Sequence, residues 1–113
     1  MKIPPNEQID AVLTRRTGNL VRRYCDDRWG DLAREWSVSV ADIRAEADRR
    51  GLQCFVSARP TGEGWWLCPS DPGYEVLYFE RGARTDREAF ADLSSAFDAW
   101  LLNELESVQL PRH

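Results

Sequence analysis

The hydrophobic repeat of this chain changes length at Gly51, so the chain cannot be all helix or all sheet. Before Gly51 the apolar side chains keep a helical spacing. Ile9, Leu13, Leu20 and Tyr24 recur at intervals of four, seven and four, with Val12 and Val21 beside them, which puts them on one face at 3.6 residues per turn. Asn6 is the expected N-cap of this first stretch, and Thr17-Gly18-Asn19 is expected to break or kink it. A second helical piece is read in Asp31 to Trp36. A third, Val40 to Arg50, follows Ser39, whose hydroxyl can cap it, and Gly51 stands where a helix-ending glycine belongs.

Beyond Gly51 the period shortens towards two. Leu52 to Ala58 reads as a strand, Arg59 to Gly64 as a turn, Trp65 to Cys68 as a second strand, and Pro69 to Gly73 as a tight loop. Tyr74 to Arg81 is the third strand, Gly82 to Thr85 a turn, and Asp86 to Phe90 a short fourth strand. Glycine at position 82 fits a hairpin turn that needs positive φ. The helical period then returns: Leu93, Phe97, Trp100, Leu101, Leu105 and Val108 share one side, Asp92 is a good N-cap, and Pro111 ends the pattern. The fold expected is α+β: N-terminal helices, an antiparallel β-meander of about four strands and a C-terminal amphipathic helix. All of it forms a single domain over residues 1–113, with a helical part (1–51) and a part made of the sheet and the last helix (52–113). The third strand carries apolar residues on both faces, the pattern of a central strand covered on both sides.

Charge is unevenly spread. Residues 1–50 hold ten Lys/Arg against nine Asp/Glu, and residues 51–113 hold five against ten, so the net charge of −4 comes from the second half. That half repels nucleic acid and suits a basic partner. Cys25, Cys54 and Cys68 are odd in number and form no CxxC, which argues for buried thiols in a reducing cytosol rather than a disulfide framework or a zinc site. The N-terminus has no apolar core of a signal peptide, and no run approaches the roughly 20 apolar residues of a membrane helix. A cytoplasmic protein without membrane contact is the expectation.

Chemistry is sparse. The only histidine is His113, so neither a Ser-His-Asp triad nor a Cys-His pair can be assembled around a central histidine. No HExxH, GxGxxG or GxxxxGK[ST] motif occurs. Asp26-Asp27 are helical neighbours about 100° apart, and Glu75 and Glu80 fall on opposite faces of one strand, so neither pair works as acid and base. The expectation is a protein that is not an enzyme and that takes no cofactor and no metal. Trp65-Trp66 places one ring in the core and leaves the other for a surface or interface. Leu32 to Leu52 can also be read as a helix-turn-helix of a small DNA-binding transcriptional regulator. However, Ser39 to Arg50 holds three arginines and three acids, and Asp42, Glu46 and Asp48 would meet phosphates in a groove.

Residues 73–102 carry a more specific pattern: Tyr74, Val76, Tyr78, then Glu80-Arg81-Gly82, Phe90 after a spacer, and Ala96 within an amphipathic helix. This stretch resembles the C-terminal half of small bacterial immunity proteins that accompany polymorphic toxins of the contact-dependent growth inhibition and Rhs type. Tyr74 stands where the pattern usually has Trp, and the helix after it begins with fewer acids than is usual. The resemblance implies stoichiometric neutralisation of a cognate toxin C-terminal domain, without naming that toxin. Charge complementarity adds that the toxin is basic, for which a nuclease is one fit. The residues expected to bind it are Glu80, Arg81, Asp86, Glu88 and Trp66, with Glu75 and Glu63 nearby in sequence.

Overall fold

The computed structural model describes residues 3–113. It divides into two compact units: residues up to 49 together with 105–113, and residues 50–104.

The first unit is helical. α1 (Pro5–Leu13), α2 (Thr17–Tyr24), α3 (Trp29–Glu35) and α4 (Val40–Arg50) follow one another through short connections. α1 starts one residue before the expected cap: Pro5 occupies its first turn and the Pro4 carbonyl accepts the Glu7 and Gln8 amides, so Asn6 lies inside the helix and caps nothing. A proline at this position lacks only an N–H that would be unpaired anyway. The break between α1 and α2 falls at Thr14–Arg16 rather than at Thr17-Gly18-Asn19. Arg15 adopts a left-handed conformation (φ 60°). The Arg16 amide then bonds the Ala11 carbonyl and the Arg15 amide the Val12 carbonyl, a helix-closing pattern more often built on glycine.

α4 agrees with the expected bounds, and its cap is reciprocal. The Asp42 amide donates to Ser39 Oγ (3.0 Å) and the Ser39 amide to the Asp42 carboxylate (2.9 Å), satisfying two orphan donors at once. Val12, Val21, Leu32, Ile43 and Ala47 are buried. So is Gln8, which donates to the Ile3 carbonyl (2.8 Å) and Ser37 Oγ (3.0 Å) and accepts from the Ser37 amide (2.9 Å). With those three bonds its burial carries no unsatisfied polar group.

The second unit holds an antiparallel sheet of three strands in the order β1 (Gly64–Pro69), β2 (Tyr74–Glu80), β3 (Ala83–Phe90). Three replaces the expected four. Leu52–Phe55 is a single 3₁₀ turn after Gly51 (φ 94°), because its backbone donors are satisfied locally: Cys54 N–H by the Gly51 carbonyl, Val56 N–H by that of Gln53. A backbone bond from the Ser57 amide to the Leu67 carbonyl (2.9 Å) then ties the following residues to the sheet. The expected fourth strand, Asp86 to Phe90, is the second half of a longer β3 that starts at Ala83.

β2 is central, as its two-sided apolar pattern implies, and Val76 and Leu77 on its opposite faces are both buried. α5 (Leu93–Ser107) is the last helix. Asp92 caps it through the Ser95 amide (2.8 Å), and that bond holds the Asp92 carboxyl below the usual aspartate range. The Phe97 ring lies 5.6 Å from both Phe55 and Trp100, and Trp100 donates its indole N–H to the Trp65 carbonyl (3.2 Å).

Candidate functional site

Of the five expected partner-binding residues, Trp66 lies on β1, and the other four, Glu80, Arg81, Asp86 and Glu88, lie on the β2–β3 hairpin. Its turn is Arg81-Gly82, with φ of 53° and 77°, between the paired residues Glu80 and Ala83. Two positive φ values are what a two-residue turn needs to match the right-handed twist of its strands, and this favours glycine at the second position. Arg81 therefore has a backbone role in addition to a charged tip. Further along, the ladder slips: Thr85 faces Tyr78 and Glu88 faces Val76, so Asp86 and Arg87 together oppose Leu77. Asp86 sits in the bulge with φ 48°, and such a bulge re-aims the side chains on either side of it.

The register sorts the charges. Glu75, Leu77 and Phe79 share one face with Trp66, Cys68 and Arg84, while Tyr74, Val76, Tyr78 and Glu80 share the other with Thr85 and Glu88. On the first face Glu75 is only 5% exposed. It accepts from Arg84 Nη1 (2.6 Å) and from Arg87 Nε (3.1 Å) and Nη2 (2.9 Å). Glu75 is thus an internal counter-ion and not part of an acidic surface, as its place in sequence had suggested. Its burial beside Trp66, Cys68 and Leu77 demands this pairing, since an unpaired buried carboxylate is costly. Cys68, also buried, has its thiol pushed up mainly by that burial and stays protonated. Sequence reasoning missed this ionic cluster. The signal was an acid alternating with Leu77 and Phe79 on an otherwise apolar face.

With Arg84 and Arg87 drawn onto Glu75, the other hairpin acids stand apart. Glu80, Asp86 and Glu88 are exposed and make no ion pair among the described residues. Glu80, beside the turn, and Glu88 lie on the same face, and Asp86 sits in the bulge between those two positions. Arg81 is exposed at the tip.

Trp66 does not join them. It is 8% exposed, packed with Cys68, Leu77 and Phe79, and its indole N–H donates to the Gly62 carbonyl (2.8 Å). Trp66 is therefore the core member of the tryptophan pair, which removes it from an accessible binding surface. Trp65 is half-buried, edge-on to Tyr78 at 5.4 Å. The most exposed tryptophan is Trp29 (46%), at the start of α3.

In the stretch read as a possible helix-turn-helix, α3 and α4 are separate helices joined by Trp36–Ser39. Two of the three arginines of α4 are engaged within their own helix: Arg44 with Asp48 (3.1 Å) and Arg49 with Glu46 (2.5 Å). Among the described residues no group of three or more His, Cys, Asp or Glu side chains is placed to hold a metal ion, and no helix is long and apolar enough to cross a membrane. Comparison with known proteins finds no matching family model, no matching curated protein and no matching solved structure.

Proposed function

We propose that this protein is an immunity protein that binds and neutralises a cognate bacterial toxin domain, one to one, through the β2–β3 hairpin. The observation that carries the reading is the sorting of charge on that hairpin. Glu75 pairs with both Arg84 and Arg87 on one face, and Glu80, Asp86 and Glu88 are exposed without an ion pair among the described residues, on a backbone held by a tight turn. Fixed acids on a rigid element suit a basic surface, such as the phosphate-binding cleft of a nuclease. Complementary charge across such a contact speeds association and selects the partner. The resemblance of residues 73–102 to immunity proteins covers the same hairpin. On this reading the protein acts in the cytoplasm as a binder, without catalysis and without a cofactor.

The alternative, a helix-turn-helix regulator, draws less support, because Arg44 and Arg49 already face acids on α4 and a recognition helix needs its basic groups for phosphates. The test is growth of cells that co-express a candidate toxin domain, taken from the product of the neighbouring upstream gene, with wild-type protein or with Glu80→Ala/Asp86→Ala/Glu88→Ala. The expected result is protection by the wild type and loss of protection by a triple variant that still melts like wild type. Full protection by the folded triple variant would move the binding surface elsewhere. A nanomolar footprint on duplex DNA would favour the regulator.

A further inference from the structure

The two outer edges of the sheet are treated differently by the chain. The β1 edge is closed: the Leu67 carbonyl accepts the Ser57 amide (2.9 Å) and the Trp65 carbonyl accepts the Trp100 indole N–H (3.2 Å). Residues 65 and 67 are alternate positions, the ones whose carbonyls point away from β2. The β3 edge is open. Every residue from Ala83 to Ala89 is exposed, and among the described residues no backbone bond leads from β3 to anything but β2. An open edge is a template for another strand, which proteins ordinarily blunt with charge and bulges. β3 has both, in Asp86, Glu88 and the bulge at Asp86.

The signs of those charges decide what the edge accepts. Arg84 and Arg87 share Glu75 on one face, so among the described residues the charged side chains of β3 itself without an ion pair are Asp86 and Glu88, with Glu80 and the exposed Arg81 together at the turn. A second copy of the chain would bring the same acids against these. A basic strand would bring their counter-ions. We infer that β3 receives a basic extended segment of a partner protein as a fourth strand, with backbone hydrogen bonds supplying attachment and Asp86 and Glu88 supplying selection. The identity of that partner as the toxin rests on the function proposed above. The strand-addition geometry does not, and it is tested with a probe.

The probe is an end-blocked octapeptide of alternating lysine and valine, added to the full-length protein while amide hydrogen exchange is followed residue by residue. At ten times its dissociation constant, mass action slows exchange of the paired amides by about tenfold. That slowing is expected at alternate residues of β3 and not in β1. Two control peptides divide backbone pairing from plain charge attraction: one N-methylated along its pairing edge, and one with glutamate in place of lysine. Neither is expected to protect β3. Equal protection by the N-methylated peptide, or no protection at β3 by the lysine peptide, would overturn the inference. So would a dimer in sedimentation whose β3 amides are already protected without peptide. Failure of the growth test with strand addition intact would count against the toxin reading alone.

Discussion

Replacing Glu75 by alanine should destabilise the protein by about 1.5–3 kcal/mol. The magnitude follows from where the three charges sit. Breaking a fully buried ion pair costs about 3–5 kcal/mol because a charge is stranded, whereas an exposed pair contributes about 0–1 kcal/mol. Here the carboxylate side chain is 7% exposed, but its partners are 33% (Arg84) and 56% (Arg87) exposed. Once Glu75 is gone, both guanidinium groups can turn to water, so the cost falls between the two limits. Glu75→Gln keeps the shape and exchanges charge-assisted bonds for neutral ones, at about 1–2 kcal/mol. Arg87→Ala, at the more exposed partner, should cost under about 1 kcal/mol. Urea denaturation reads these differences directly from the midpoints at constant slope. An alanine variant within about 0.5 kcal/mol of wild type, the ordinary range for surface changes, would refute the burial of Glu75 against its arginines.

Trp100→Ala should cost about 3–5 kcal/mol in the same assay, since it empties a site 3% exposed and leaves the Trp65 carbonyl without its donor; a variant that melts like wild type would contradict the packing of α5. Gly82→Ala should lose about 1–2 kcal/mol from left-handed strain alone, because nothing lies within 4 Å of the added methyl. Gly73→Ala should lose more, as its methyl would meet the Phe90 carbonyl oxygen at 2.3 Å, and thermal melts of the pair should keep that order. In native protein a maleimide should label Cys54, which is exposed, and spare Cys25 and Cys68, which are buried; rapid labelling of all three before unfolding would refute the core.

The legible parts of the fold were those in which local chemistry and burial agree. α4 has a Ser39–Asp42 box at one end and a glycine at the other, and its bounds match the sequence reading. α5 has its Asp92 cap and an apolar stripe. Gly82 marked the place of the hairpin turn, but the turn read as Gly82 to Thr85 is Arg81-Gly82, with Ala83 to Thr85 already paired in β3. What stayed hidden lacked a chemical marker. α1 closes on Arg15 and α5 on Gln109 (φ 58°), left-handed residues with nothing in their side chains to announce it. The 3₁₀ turn at Leu52–Phe55 carries strand-forming residues, and local hydrogen bonds overrode that preference. For the candidate site, Glu80, Asp86 and Glu88 were readable as surface acids. That Glu75 belongs with Arg84 and Arg87 depends on strand register and on a bulge, which place residues nine and twelve positions apart side by side. The tryptophan pair was readable only as one ring in and one out. Which ring goes in follows from register, since Trp66 faces Leu77 and Trp65 faces Tyr78.

On the proposed function, the exposed acids of the β2–β3 hairpin are the contact surface for a basic toxin domain. Stopped-flow association with that domain, run at low and at physiological salt for wild type and for Glu80→Ala/Asp86→Ala/Glu88→Ala, tests it most directly. The expected result is a one-to-one complex whose association slows as salt rises. The triple variant should bind at least about 30-fold more weakly, corresponding to the 2 kcal/mol lower bound for losing one well-paired interfacial carboxylate, with a flatter salt dependence. A folded triple variant with wild-type affinity and an unchanged salt dependence would contradict it.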